Sequence, residues 1–255
     1  MVRGEGRGER KQALFLGPLQ GKIRQEAKQG VSGGPLRGHP DLQELLFRKY
    51  FFICEGANTE TFYFRRLIDI RKELGIHPLI DLRLLEKTGK ERNLSYAKSL
   101  ASFAFRQKKE KGNAFDEERD RLIIVFDADV FEEKVKGYED LLKEIEKEAI
   151  PAVSNPSFEL FLLLHLEGSY ERHIRGKEAS FLAKDSQGAY SHAFNLLRDL
   201  TGMNSKKNPR IGELADKVRV AIAQEKRINQ DVHRCKGRVT SNLGSIIESI
   251  MEERL

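Results

Sequence analysis

Two segments of the sequence are apolar at every position, and each ends on acidic residues. The longer covers residues 122–126 and is followed by Asp127 and Asp129, while the other covers residues 50–54 and is followed by Glu55. A strand without polar positions is typical of a sheet covered on both faces, because a half-exposed strand alternates apolar and polar residues. The pattern therefore predicts two central strands of a parallel or mixed sheet.

The rest of the chain carries shorter strand patterns and several helical ones. Strands are predicted at residues 80–85 and 151–154, and helices at residues 58–74, 93–111, 137–148, 182–200, 211–226 and 241–255. Asn155 and Pro156 suit the N-cap and first position of a further helix, which is apolar nearly all round and runs to His165. This order predicts an α/β fold with a mostly parallel, Rossmann-like sheet flanked by helices and a helical C-terminal extension.

The composition divides the chain into a basic arm (residues 1–40), an α/β core (41–168) and a helical C-terminal part of the same domain (169–255). The arm holds eight Lys and Arg against three Glu, so it carries +5 of the net charge of +6, and it also holds nine of the 21 glycines. Such a segment is expected to be flexible. Three interpretations stay open: contact with nucleic-acid phosphates, a start codon assigned too far upstream, or an inert solvated tail.

Removal of residues 1–40 is expected to leave the body folded, because the arm is rich in glycine and carries most of the net positive charge, which is typical of a flexible segment. A chain that starts at Asp41 should keep the melting temperature of the full chain in a thermal denaturation measurement. A loss of several degrees would mean that the arm packs on the body.

Composition excludes several classes of protein. With 39% apolar and 33% charged residues, no stretch is long enough to span a membrane, and the apolar run at residues 13–16 is too short for an export signal. A cytoplasmic protein is therefore expected. Cys54 and Cys235 have no CxxC partners and are predicted to be reduced thiols. Residues 87–90 lack the spacing of a phosphate-binding loop, which excludes an ATP site there and leaves an exposed turn or a contact with substrate phosphate.

The acids that follow the apolar strands are the candidate site. Asp127 and Asp129 are two residues apart, so on a strand both side chains point to the same side and could share one hard cation. Ligands of open α/β sheets bind at the carboxyl ends of the strands. An aspartyl-phosphate phosphatase, a sugar-nucleotide transferase and two acids that merely solvate a strand end are the alternatives.

Glu159 is the third candidate, because it lies in a helix with no polar face. It either interacts with the helix dipole or acts as a further carboxylate of a metal site, and we favour the second interpretation. His165 is expected to be a packed histidine and not a ligand.

Together these motifs resemble the RloB-like family. The resemblance covers about residues 50–166 and is carried by Cys54-Glu55-Gly56, Thr59-Glu60, Tyr63-Phe64, Phe126-Asp127-Ala128-Asp129, Ser154-Asn155-Pro156-Ser157-Phe158-Glu159 and Leu162-Leu163-Leu164-His165. That family occurs beside bacterial restriction and abortive-infection genes, and its glutamate followed by DxD is similar to the Toprim fold of primases, topoisomerases and overcoming-lysogenisation-defect nucleases. Members often carry a Tyr-x-Lys, but Leu182 replaces the tyrosine ahead of Lys184, which leaves a role for that lysine in doubt.

The resemblance implies a Mg²⁺- or Mn²⁺-dependent nuclease that acts on DNA or RNA in anti-phage defence. Asp127 and Asp129 would be the primary ligands and Glu159 would bind a second ion or act through water, while Glu55 would be a general acid/base or a further ligand. A partner ATPase is plausible because this chain lacks a nucleotide loop, and a homo-oligomer is compatible with the sequence. The alternative of a different class is a non-catalytic interaction subunit of a defence complex. A phosphatase is disfavoured, because no Asp-Asp pair follows Asp129 and the matching glutamate, Glu55, comes before it.

Overall fold

The computed structural model describes residues 48–87, 97–128, 135–183 and 190–254, and they contain a five-stranded sheet. The strands are β1 (Arg48–Cys54), β2 (Ile80–Leu84), β3 (Arg121–Asp127), β4 (Ile150–Asn155) and β5 (Thr240–Ser241). Their spatial order is β2-β1-β3-β4-β5, with β1 to β4 parallel and β5 antiparallel to β4. The predicted α/β fold with a mostly parallel sheet is therefore confirmed.

The two apolar strands have their predicted positions at the centre of the sheet. Successive side chains of a strand point to opposite faces, so Phe52 of β1 and Val125 of β3 pack into one core, while Phe51 and Ile124 pack into the other. Both faces are covered. This double burial explains why residues 50–54 and 122–126 are apolar at every position.

Eight α-helices lie in the described part of the chain. They are α1 (Thr59–Asp69), α2 (Ala97–Lys109), α3 (Val135–Ile145), α4 (Phe158–Leu163), α5 (Glu178–Leu182), α6 (His192–Thr201), α7 (Val218–Glu225) and α8 (Leu243–Glu252). The core that contains Phe52 is covered by α1, α4, α6, α7 and α8, and the opposite core is covered by α2 and α3. The C-terminal part is helical as predicted, and it also contributes β5 to the sheet.

Several predicted helices are shorter or differ in type. The helix expected to reach residue 74 ends at Asp69 and continues as turns, and the segment Pro209–Lys217 is a 3-10 helix instead of α-helix. Gly212 of this segment lies so close to α1 that an added Cβ would come within 2.4 Å of the Phe62 carbonyl oxygen. Tight packing against α1 thus accounts for a glycine here.

The prediction that Asn155 caps a helix is wrong. Asn155 is the last residue of β4, and the peptide bond to Pro156 is cis. The Asn155 amide Nδ2 donates to the carbonyl oxygens of Cys235 and Arg238, each at 2.9 Å, so its side chain ties β4 to a distant loop. Ser157 takes the N-cap position, and α4 begins at Phe158.

The C-terminal helix depends on a buried acid. Glu225, at the end of α7, is fully buried and accepts hydrogen bonds from Gly244 N (2.9 Å) and Ser245 N (2.8 Å) in the first turn of α8. Its Oε1 also accepts from the Ser241 hydroxyl at 2.6 Å, and its Oε2 from Gln230 Nε2 at 3.3 Å. Burial raises the pKa of Glu225 to about 7, although these hydrogen bonds lower it.

Two further expectations concern the cysteines and the membrane. Cys54 and Cys235 are both buried and free, as predicted for reduced thiols. In the described ranges no helix has the length and apolar content that crossing a bilayer requires.

Candidate functional site at the carboxyl edge of the sheet

Glu55 and Asp127 are neighbours at the carboxyl edge of the sheet. The parallel ladder pairs Cys54 with Val125, and Glu55 continues it by donating its backbone N–H to the Val125 carbonyl oxygen at 2.9 Å. The Glu55 side chain then crosses to the next strand, where its Oε2 accepts from the backbone N–H of Asp127 at 3.2 Å. Strand register and this hydrogen bond therefore place the two acids together.

A cavity of about 420 Å³ opens beside this edge, and we call it the acid cavity. Its lining contains four carboxyl groups and a set of small, polar and aromatic residues: Glu55, Gly56, Ala57, Asn58, Thr59, Glu60, Asp127, Ser157, Phe158, Glu159, Tyr190, Ser191, Phe194 and Lys206. The acids come from the ends of β1 and β3 and from the first turns of α1 and α4. Four carboxyl groups in one lining favour a ligand that brings positive charge.

Glu159 reaches the acid cavity from the first turn of α4 and is 5% exposed. Its Oε2 accepts from the Ser157 hydroxyl at 2.8 Å, and its Oε1 accepts from the Ser205 hydroxyl at 2.9 Å. A buried carboxylate needs such partners, because burying it unpaired costs several kcal/mol. The two serines fix the orientation of the carboxylate, which retains further lone pairs on both oxygens.

Glu60 is a fourth acid of the cavity, and its role was not predicted. It is buried in the first turn of α1, and Gly56 N donates to its Oε1 at 3.2 Å. A Cβ at Gly56 would lie 1.9 Å from Glu60 Oε2, so a larger residue there would displace the carboxyl group from its position. Burial raises the pKa of Glu60, and the negative charge of Glu159 raises it further.

Lys87 supplies a positive charge on the other side of Glu55. Its ammonium donates to the backbone carbonyl oxygen of Glu55, and burial lowers the pKa of Lys87 while Glu60 and Glu55 raise it. The same lysine lines a second cavity of about 510 Å³, which shares Gly56 and Asn58 with the acid cavity. Of the turn at residues 87–90, only Lys87 lies among the described residues.

The structure thus brings Glu55, Asp127 and Glu159 to one cavity, as the sequence led us to expect. Asp129 and Lys184 lie outside the described residues. Within the described ranges, no three His, Cys, Asp or Glu side chains form a group that could hold a metal ion together.

The comparison with protein families agrees with the resemblance read from the motifs. A family model described as RloB-like protein matches residues 50–253. The chain belongs to the RloB-like family. The match extends well beyond the motif region and includes the C-terminal helices. No curated protein and no solved structure matches the chain.

Residues from the C-terminal part complete the acid cavity of this RloB-like protein, and sequence reasoning missed them. Ser205 binds Glu159, and Tyr190, Phe194 and Lys206 line the wall. All four are distant in sequence from the acids and carry no local motif. Glu60 could have been found, because it follows Gly56 by four residues and belongs to the motifs that carry the resemblance.

His165 is a core residue, as expected. It is fully buried, and its Nδ1 donates to the Phe161 carbonyl oxygen at 2.9 Å, so its Nε2 accepts from the Tyr63 hydroxyl at 3.0 Å. Both ring nitrogens are thereby used within the core. Burial lowers the pKa of His165 from 6.5 to about 4.

Acidification is expected to destabilise the RloB-like protein through His165. Because its pKa is lower in the folded state, the neutral ring contributes stability above pH 6.5, which is lost as the pH falls through about 4. Between these values the wild type should lose about 3 kcal/mol more unfolding free energy than His165→Gln, as measured by urea denaturation.

The pKa of Glu225 is raised in the folded state, so its contribution to stability depends on pH in the opposite direction to that of His165. This stabilisation is present at pH values below 4.5 and is lost as the pH rises through about 7. Both proteins contain Glu225, so the difference between them isolates His165. Equal pH profiles for the two proteins would show that His165 is not buried in neutral form.

Proposed function

We propose that this RloB-like protein is a metal-dependent nuclease that hydrolyses phosphodiester bonds of DNA or RNA. The proposal extends to a role in bacterial anti-phage defence together with a partner ATPase. The observation that carries it is the hydrogen bond between Glu55 and the Asp127 backbone, which joins two acids at the carboxyl edge of adjacent parallel strands. This edge is where open α/β sheets bind ligands.

The donor groups fit Mg²⁺ or Mn²⁺. Four carboxyl groups line one cavity, and the charge of Glu159 already raises the pKa of Glu60, as expected for acids whose repulsion a cation would relieve. Carboxylate oxygens are the ligands that these hard cations prefer, and Mg²⁺ usually needs only one or two of them because it retains several waters. A group of three protein carboxylates is therefore not required.

The four acids that the sequence predicted for the site, Glu55, Asp127, Asp129 and Glu159, each have a role in this proposal. Asp127 and Asp129 would hold the ion, and Glu159 would hold a second ion or act through water. A bound ion would stabilise the negative charge that develops on the phosphoryl group. Glu55, held by the Asp127 backbone, would either take the proton of the attacking water or complete the ligand set.

The proposed ATPase partner and the proposed defence role are supported by the resemblance to the RloB-like family. The resemblance to proteins encoded beside restriction and abortive-infection genes supports the defence role, and a similarity to Toprim nucleases remains part of the proposal. The sequence of residues 87–90 lacks the spacing of a phosphate-binding loop, so an ATP-driven trigger would come from another chain. The basic residues 1–40 could contact nucleic-acid phosphates.

The proposed chemistry can be tested without knowledge of the natural substrate. In the presence of Mn²⁺, the protein should release p-nitrophenol from bis(p-nitrophenyl) phosphate, a diester, and should leave the monoester p-nitrophenyl phosphate intact. Release from the monoester alone would favour the phosphatase alternative and contradict the proposal. Addition of EDTA should stop the reaction.

A further inference from the structure

An aromatic pair forms one wall of the acid cavity. Tyr190 stacks on Phe194 of α6, with ring centroids 4.2 Å apart and an angle of 17° between the planes. Phe194 is buried, whereas Tyr190 is 37% exposed. Tyr190 therefore presents a flat ring on a rigid support, in the same cavity as Glu55, Asp127 and Glu159.

A positive charge accompanies this pair. The ammonium of Lys206 lies 5.4 Å from the centroid of the Tyr190 ring and 5.8 Å from that of Phe194, while the Arg198 guanidinium lies 6.0 Å from Phe194. Lys206 is exposed and also lines the acid cavity. Aromatic rings and cations are thus combined within reach of the carboxyl groups.

The position of Lys206 is set by two contacts with the acid site. The Asn58 amide Nδ2, which follows β1, donates to the Lys206 backbone carbonyl oxygen at 3.0 Å. The preceding residue, Ser205, is buried and donates to Glu159 at 2.9 Å. The loop that carries Lys206 is thereby attached to Asn58 and Glu159, which both line the acid cavity.

We propose that Tyr190, supported by Phe194, is a stacking platform for an unpaired nucleobase, and that Lys206 binds a phosphate of the same strand. The substrate class is then single-stranded nucleic acid or an unpaired region of a folded one. This inference rests on the proposed nuclease function and deepens it. Flat aromatic surfaces beside cations are how proteins hold single strands, because every base has a face that can stack.

A paired base cannot use such a platform. In a duplex both faces of each base are covered by its stacked neighbours, so a base would first have to leave the stack at a cost of a few kcal/mol. The platform therefore predicts a preference for single strands without a strong preference among base sequences.

The test measures binding of fluorescein-labelled oligonucleotides to the full chain by fluorescence anisotropy, with Ca²⁺ in place of Mg²⁺. Single strands and blunt duplexes of one mixed sequence are compared, as DNA and as RNA. The wild type should bind the single strands more tightly. Tyr190→Ala should weaken that binding about 5- to 150-fold, the range that corresponds to one stacked base.

Two variants serve as controls. Tyr190→Phe keeps the ring and should bind single strands as the wild type does. This variant therefore distinguishes the effect of losing the stacking surface from the effect of losing the hydroxyl group. Leu200→Ala removes an exposed apolar side chain from α6, the helix that contains Phe194. Leu200 does not line the acid cavity, so this substitution should not change oligonucleotide binding. Lys206→Gln should weaken binding and reduce its salt dependence, since it removes one phosphate contact.

The outcomes separate this inference from the nuclease proposal. If Tyr190→Ala loses single-strand binding but the wild type cuts nothing, the platform stands and the nuclease proposal fails. If the wild type cuts nucleic acid and Tyr190→Ala cuts and binds equally well, the nuclease stands and the platform is rejected. Tighter binding of duplexes, or no binding of any oligonucleotide by the wild type, also rejects the platform.

Discussion

Asp127→Asn is expected to abolish nucleic-acid cleavage while the protein stays folded. The substitution keeps the size of the side chain and the backbone N–H that donates to Glu55, and removes the negative charge that would bind the metal ion. Loss of a residue that merely supports a metal ligand already costs about 10- to 100-fold in affinity or activity, so loss of a ligand should cost more than about 100-fold. The rate of phosphodiester cleavage in Mg²⁺ or Mn²⁺ measures the effect.

The stability of this variant should be unchanged or slightly higher, because without a metal ion the neighbouring carboxylates repel one another. Asp140→Asn is the matched control, since Asp140 is exposed on α3 and does not line the acid cavity. Its activity should equal that of the wild type. Retention of activity within a few-fold by Asp127→Asn would remove Asp127 from the proposed site.

Glu225→Ala should cause a large loss of stability. The glutamate accepts the backbone N–H groups of Gly244 and Ser245, and alanine would leave the buried Gly244 donor and the partly buried Ser245 donor without their acceptor. The substitution also breaks the buried network with Ser241 and Gln230. We expect the unfolding free energy to fall by about 3–5 kcal/mol, as measured by urea denaturation at neutral pH.

Two other substitutions test the explanation of that loss. Glu252→Ala removes an exposed glutamate from α8 and should change stability by less than about 0.5 kcal/mol. Glu225→Gln keeps an oxygen acceptor and should therefore lower the unfolding free energy less than Glu225→Ala does. If Glu225→Ala lowers the unfolding free energy by less than about 1 kcal/mol, water or other groups accept the hydrogen bonds from the backbone N–H groups at the start of α8.

The parts of the fold that the sequence predicted are those with long, uniform patterns. Residues 50–54 and 122–126 are apolar at each position because both cores surround β1 and β3, and the glutamate and aspartates that end these runs could be placed at one edge by the geometry of parallel strands alone. Strand β5 has only Thr240 and Ser241. A polar segment of two residues has no local sequence pattern that predicts a strand, because its strand conformation depends on pairing with β4.

The errors in the prediction have a common physical cause, which is competition between local preference and distant partners. Asn155 has the side chain of a good N-cap, but the carbonyl groups of Cys235 and Arg238 bind its amide. Ser205 and Lys206 belong to the acid cavity only because the C-terminal part folds back to Glu159 and Asn58. Such contacts between remote segments have no periodic signature in a single sequence.

Cleavage of nucleic acid in the presence of a divalent ion is the most direct test of the proposed function. The purified full chain would be incubated with single-stranded DNA, duplex DNA, RNA and tRNA, in Mg²⁺, Mn²⁺ or EDTA, with and without an ATPase encoded beside it. The account predicts cleavage of at least one substrate in Mg²⁺ or Mn²⁺, none in EDTA and none with Asp127→Asn. If every substrate stays intact in all combinations, the chain is better explained as a non-catalytic interaction subunit.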